Sequence, residues 1–170
     1  MASPTYPKPN ASVDLVVFGL QDDVLKVQVL RRRSGPEKGK WALPGGYVHV
    51  NEERSLDDVV ERVVRDKVQG GIRYVEQLGT VGNAARDERG WSISVAYIAI
   101  ADAIRPLDSA TGWQWVSVDD LPPLAFDHAH LVAQAAARLR TKSTYSSLAA
   151  FLLPDEFTLP ELIDLYEHVL

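Results

Sequence analysis

Residues that favour β-strands, mostly apolar and β-branched, are concentrated in five runs of the chain. These runs cover residues 13–20, 25–30, 73–81, 92–100 and 113–118. Gln21, Asp22 and Asp23 join the first two runs, which is typical of a hairpin. The fold is therefore predicted to begin with a hairpin and to contain at least five strands.

Elsewhere apolar side chains recur every three or four positions, and this spacing predicts two amphipathic helices. The first follows Ser55, a residue suited to capping a helix, and is stopped by the glycines at 70 and 71. Its apolar face comprises Leu56, Val59, Val60, Val63 and Val64. The second helix spans residues 127–139. Strands and helices in this order predict an α/β (α+β) fold, a mixed sheet sandwiched between helices.

The last part of the chain adds two shorter helical segments, residues 145–152 and 158–170. The second opens with Thr158, a helix-capping residue, followed by Pro160 and Glu161 in the first turn. Its apolar stripe needs a surface to pack against. We therefore predict a ligand-binding domain of residues 1–142 and a helical appendage of residues 143–170.

Composition narrows the possible chemistry. None of the 170 residues is cysteine, which excludes disulfides, thiolate nucleophiles and cysteine-based zinc sites. The net charge of -5 argues against coating nucleic acid by bulk electrostatics, although a local basic face remains compatible with phosphate contact. The chain has neither a membrane-length apolar run nor a signal-peptide pattern at its start, so we predict a cytoplasmic protein.

Residues 39–46, Gly-Lys-Trp-Ala-Leu-Pro-Gly-Gly, form a predicted loop between the hairpin and the first helix. Gly45 and Gly46 permit backbone conformations and close approaches that side chains forbid. Such a loop often borders a binding site, and its alternative role is a simple turn.

The segment that contains this loop resembles a known family. Residues 41–48, followed by acids and a helix, resemble the opening of the Nudix box, G-x5-E-x7-R-E-U-x-E-E-x-G-U, where U is a bulky apolar residue. Counting from Gly46 places Glu52 on the first box glutamate. If about two residues are inserted near 53–54, residues 55–58 match the family's S-L-E-E and Arg62 matches the box arginine.

In this register the metal-binding helix of the family has lost most of its carboxylates. Val63 replaces the first helical glutamate, and Asp66 and Lys67 replace the glutamate pair. Magnesium prefers oxygen ligands, and a lysine ammonium puts positive charge where the cation would lie. We therefore expect no cofactor and no efficient hydrolysis. If magnesium does bind, its candidate ligands are Glu52, Glu53 and Asp66.

Further stretches extend the resemblance over residues 12–170. Residues 76–97 are similar to a run found in ADP-ribose-handling Nudix proteins, and 119–128 continue it. Residues 151–167 are similar to the opening of the winged helix of Nudix-related transcriptional regulators, the NrtR family. The resemblance implies that the chain binds ADP-ribose or a related nucleotide or sugar phosphate, forms a homodimer, and controls genes of NAD or sugar metabolism through operator DNA. Only the first part of the winged helix is present, so DNA binding is expected of a form with the complete domain.

Several residues are candidates for contacting such a ligand. The set comprises Arg31, Arg32, Gly45, Gly46, Tyr47, Arg86 and Arg89. Arginine binds phosphate through paired hydrogen bonds, but each of these arginines has an alternative role as a surface charge or a salt-bridge partner. His49 and His128 are candidate acid-base groups, although a lone histidine is more often structural.

We interpret the chain as an effector-sensing Nudix-like domain of a transcriptional regulator. The main alternative is an active hydrolase of the ADP-ribose pyrophosphatase type, with a non-standard magnesium site. A third possibility is a domain kept only as an interaction module, which would show no saturable nucleotide binding.

Overall fold

The computed structural model describes residues 7–105 and 112–169, so residues 1–6 and 106–111 of the predicted first domain and Leu170 of the predicted tail lie outside the described residues. Within these ranges the chain forms a seven-stranded sheet. Its strands are β1 Asn10–Gln21, β2 Val24–Arg31, β3 Trp41–Ala42, β4 Gly45–Tyr47, β5 Ile72–Asn83, β6 Ser92–Ala101 and β7 Trp113–Ser117. The five predicted strands are all present.

The order β3-β2-β1-β6-β5 describes the sheet, with β4 paired to β1 and β7 paired to β2. Among the paired strands of the described residues, β1 and β6 alone run parallel, so the sheet is mixed as predicted. The β1–β2 hairpin turns at Asp22 and Asp23, whose φ angles of 52° and 59° suit the twist of a two-residue turn. Strand β1 lies at the centre of the sheet, so residues of several neighbouring elements lie close to it.

The prediction of a loop at residues 39–46 was partly wrong, because this segment contains β3 and β4. Ala42 pairs with Leu30 of β2, and Gly46 pairs with Val13 of β1. These partners are distant in sequence, and strands of two and three residues are too short to show a periodic pattern.

In the part of the chain that the structure describes, three α-helices accompany the sheet: α1 Leu56–Lys67, α2 His128–Ser143 and α3 Leu159–Val169. Ser55 caps α1 as predicted, and Asp58 completes a reciprocal capping box with it. Helix α1 ends at Lys67, before the predicted glycine stop, because Val68 already has extended backbone angles. The predicted helix at 145–152 is instead a short 3-10 helix, Leu148–Leu152.

The two faces of the sheet bury separate apolar clusters. Alternate residues of β1 contribute to each: Val13, Leu15 and Val17 pack towards α1, while Val16 and Phe18 pack towards α2. This alternation of side chains across a strand makes the sheet the middle layer of a sandwich.

The tail packs on the α2 side of this sandwich. Leu148, Ala149, Leu153 and Leu165 belong to the same buried cluster as α2. Leu159 and Ile163 of α3 remain 69% and 49% exposed. The tail therefore shares the main core, and the division at residues 142 and 143 stays a prediction. In the described ranges no helix is both long and apolar enough to span a bilayer.

Candidate functional site

A cavity of about 410 Å³ opens beside the N-terminal half of β1. Strand β4 and the end of α1 border it on one side, and residues 32–35 and 86–89 border it on the other. Its charged lining comprises Arg32, Arg33, Arg62, Lys67, Arg86 and Arg89 against Asp14 and Asp87. Six cationic and two acidic side chains give the cavity a positive character, unlike the chain as a whole.

The two glycines of β4 let α1 and β1 approach the cavity floor closely. A Cβ atom on Gly45 would lie 2.1 Å from an Oδ1 of Asp14 and 2.7 Å from the carbonyl oxygen of Val13. One on Gly46 would lie 3.2 Å from an Arg62 nitrogen and 3.4 Å from Val63. Any side chain at position 45 would therefore displace Asp14.

Lys67 extends from the last turn of α1 to this floor. Its Nζ donates a hydrogen bond to the carbonyl oxygen of Gly45 at 2.6 Å. Burial lowers the pKa of Lys67, the charges of Arg62 and Arg32 lower it further, and Asp14 and Asp66 oppose them. A bound anion would favour its charged form.

Arg86 joins the loop after β5 to two acids of other elements. Its Nη2 donates to Asp14 Oδ2 at 2.9 Å, and its Nε donates to Asp127 Oδ2 at 2.8 Å. Ser94 donates a further hydrogen bond to Asp14 at 2.5 Å. Burial disfavours the charged form of Arg86, but its bond to Asp127 and the charge of Asp14 outweigh this, so its pKa is raised.

His128 lies beneath the same network. Its Nδ1 accepts the backbone N–H of Leu43 at 2.9 Å, and its Nε2 lies 3.6 Å from Asp14 Oδ1. Burial lowers the pKa of His128. These contacts support a structural role for His128 rather than acid-base chemistry.

Asp87, Arg89 and Tyr47 form a second charged group at the rim. The Nη2 of Arg89 donates to Asp87 Oδ2 at 2.6 Å, and its guanidinium lies 5.2 Å from the centre of the Tyr47 ring. The hydrogen bonds from Arg89 lower the pKa of Asp87 from 3.8 to about 2. Asp87 is therefore ionised across the physiological range.

The acids proposed as magnesium ligands do not converge on the cavity. Glu53 accepts a bond from Arg62 Nε at 2.5 Å, and Asp66 pairs with Arg65 at 3.0 Å on the surface. The side chain of Glu52 is 75% exposed. Across residues 7–105 and 112–169, no three His, Asp or Glu side chains are grouped closely enough to hold a metal ion.

The helix face that would carry the remaining ligands does not suit magnesium either. Val63 is fully buried in the core, and Lys67 directs a cation at the Gly45 carbonyl. These residues do not fit a divalent cation, because neither supplies an oxygen ligand and one repels positive charge.

Most of the predicted ligand contacts come together at the cavity. Its lining includes Arg32, Gly45, Gly46, Tyr47, Arg86 and Arg89. Arg31 is the exception and does not line it. The Nε of Arg31 donates to the Gly39 carbonyl at 2.9 Å, and its guanidinium lies 5.6 Å from the Trp41 ring centre, so it braces the loop that follows β2.

Sequence reasoning missed several residues that line the cavity, among them Asp14, Ser92 and Phe126. Asp14 was passed over within an apolar strand, although a single acid in such a run is itself a signal that it meets a cation. Phe126 supports the guanidinium of Arg32, whose central carbon lies 4.7 Å from the ring centre. The φ angle of 53° at Phe126 arises from tertiary packing, which no local pattern encodes.

A neighbouring hollow of about 580 Å³ shares Arg86, Asp87 and Phe126 with the cavity. It extends past Asn83 and Leu124 towards Pro36. The two spaces together can hold a ligand longer than the cavity alone.

Comparisons of the sequence and of the structure with known proteins agree on the family. The family model described as NUDIX domain matches residues 8–135. The ADPR responsive transcriptional repressor NtrR of Acinetobacter baylyi is 36% identical over 170 residues, which cover 97% of this chain and 68% of the repressor. The crystal structure of Shewanella oneidensis NrtR complexed with a 27mer DNA is 38% identical, with a TM-score of 0.83, over 94% of this chain and 75% of that one. The NUDIX domain of the same protein complexed with ADP ribose is 36% identical, with a TM-score of 0.68, over 79% and 90%.

Proposed function

The chain belongs to the NUDIX family, and from this premise we propose that it binds ADP-ribose or a closely related nucleotide without hydrolysing it, as the sensing part of a transcriptional regulator. The observation that carries this proposal is the cationic cavity beside β1. Its volume of about 410 Å³ lies within the usual range of ligand pockets, roughly 300–1,000 Å³.

The chemistry of the lining suits a diphosphate linked to sugars. Arginine and lysine side chains bind phosphate oxygens through charge-assisted hydrogen bonds. The buried hydroxyl of Ser92 also lines the cavity and has no hydrogen-bond partner among residues 7–105 and 112–169. Tyr47 and Phe126 add aromatic faces for a base. The unsatisfied hydroxyl of Ser92 supports the presence of a ligand in the cavity, since buried polar groups are normally hydrogen-bonded.

Binding without turnover follows from the electrostatics of α1. Hydrolysis of a diphosphate in this family depends on metal ions that neutralise charge and activate water. Here Val63 and Lys67 occupy the helix face, and the nearby acids are engaged elsewhere. We therefore propose that no cofactor is required.

The relatives also support a macromolecular partner. We propose operator DNA, contacted by a winged helix that residues 143–170 open, with residues 1–142 as the ligand-binding domain. A homodimer and a cytoplasmic location complete the proposal. The chain spans 68% of the Acinetobacter repressor, so DNA contact is proposed for a protein with the complete winged helix.

The test combines binding with turnover on the purified chain. Calorimetry should show saturable binding of ADP-ribose, and incubation with ADP-ribose and magnesium should release no AMP above background. Turnover at roughly one per second or faster would establish the hydrolase alternative. If ADP-ribose shows no saturable binding and no turnover, the remaining interpretation is a domain that serves only as an interaction module.

A further inference from the structure

Lys67 and Arg32 differ from three other cations of the cavity in what they contact. Arg62, Arg86 and Arg89 each bond to a carboxylate. Lys67 instead bonds to the neutral carbonyl of Gly45. Arg32 donates its Nε to the Pro36 carbonyl at 2.8 Å and rests on the Phe126 ring. Within the part of the chain that the structure describes, neither Lys67 nor Arg32 forms an ion pair.

In the described residues neither charge is paired directly with a carboxylate, although Asp14 and Asp66 act on Lys67 at longer range. Both side chains are partly buried, where a charge is less screened than in water. A half-buried cation without a counter-ion favours binding of an anion, and a diphosphate supplies two linked anionic groups. Lys67 and Arg32 are therefore available to bind the two phosphate groups of such a ligand.

We propose that the Lys67 ammonium, held by the Gly45 carbonyl, is a protein-borne counter-ion for the diphosphate and, with Arg32, replaces the divalent cation that the NUDIX fold otherwise uses. This inference rests on the proposed function. An ammonium neutralises phosphate charge but carries no coordinated water that could become a nucleophile. Lys67 thus supports binding without hydrolysis, and binding is independent of magnesium.

Calorimetry of the full chain with ADP-ribose tests this, first in EDTA and then with excess magnesium. The wild-type dissociation constant should agree within about twofold between the two conditions. Lys67→Gln should weaken binding roughly 10- to 100-fold, the range for loss of a charged hydrogen bond. Glutamine removes the charge and keeps a polar N–H on a side chain that is one bond shorter.

Lys8→Gln is the matched control, because Lys8 is exposed and lies outside the cavity lining. It should keep the wild-type affinity. The inference is overturned if Lys67→Gln binds as tightly as the wild-type chain in EDTA, or if EDTA weakens the wild-type chain. Should Lys67→Gln fail to fold, the EDTA comparison on the wild-type chain still decides.

Inorganic pyrophosphate as a second probe separates this inference from the proposed function. If pyrophosphate binds in EDTA with the same dependence on Lys67 while ADP-ribose does not bind, the counter-ion role stands and the proposed effector is wrong. If ADP-ribose binds without any dependence on Lys67, the proposed function stands and the counter-ion role is wrong.

Discussion

At the scale of single residues, the site depends on a close approach of β4 to β1 that leaves no room for a side chain at position 45. Gly45 is required by the closeness of Asp14 and Val13 rather than by an unusual backbone angle. Asp14 has little freedom to move aside, because Arg86 and Ser94 both hold its carboxylate. The glycine therefore lets β4 lie against Asp14, and its own carbonyl oxygen accepts the hydrogen bond of the Lys67 ammonium.

Gly45→Ala should destabilise the fold by on the order of 3 kcal/mol, the upper part of the range for overpacking. Urea denaturation measures this loss. Gly79→Ala is the control, because no atom lies within 4 Å of the added Cβ atom. A Gly45→Ala chain as stable as Gly79→Ala would contradict the close packing described for β4.

Asp87 provides a pH-dependent prediction at the same scale. Its pKa of about 2 in the folded chain lies below its ordinary value of 3.8, so its ionised form stabilises the fold above about pH 4. That contribution is lost as the pH falls from about 4 towards 2. The difference in unfolding free energy between the wild-type chain and Asp87→Asn should therefore shrink over this interval. A difference that stays constant from about pH 5 to 3 would count against the Arg89–Asp87 pairing.

At the scale of elements, the charged network around Arg86 connects three parts of the fold that are distant in sequence. Arg86 follows β5, Asp14 belongs to β1, and Asp127 directly precedes α2. The side chains of Arg86 and Asp14 are only 6% and 9% exposed. Removal of one partner would leave a buried charge without compensation.

Arg86→Gln should accordingly cost roughly 3–5 kcal/mol in chemical denaturation. The double variant Arg86→Gln with Asp14→Asn removes both charges and should recover part of this loss. Arg65→Gln, which breaks the exposed pair with Asp66, should cost less than about 1 kcal/mol. Equal losses for Arg86→Gln and Arg65→Gln would show that the network is not buried as described.

The elements themselves show which features local patterns can reveal. The capped helix α1 and the long strands were predictable, because their apolar spacing extends over many residues. Strands β3 and β4 were not, because their pairing partners are distant in sequence. Local patterns also fail to distinguish Arg31 from Arg32. The two are neighbours in sequence, but only Arg32 lines the cavity.

At the scale of the whole molecule, the family resemblance seen in the Nudix box is confirmed, while the assignment of individual residues to the ligand remains a proposal. The box helix is kept as a structural element, with Val63 in the core and Arg62 tied to Glu53. Its metal-binding chemistry is replaced by a cation of the protein. The sensor interpretation depends on this exchange.

The central claim is that ADP-ribose binds with its diphosphate against Lys67 and Arg32 and without a divalent cation at α1. A crystal of the chain grown with ADP-ribose and soaked in manganese, measured for anomalous scattering, tests it most directly. The account predicts the diphosphate in the cavity and no anomalous peak beside Asp66 or Glu53. A manganese ion at full occupancy between that helix face and the diphosphate would contradict it.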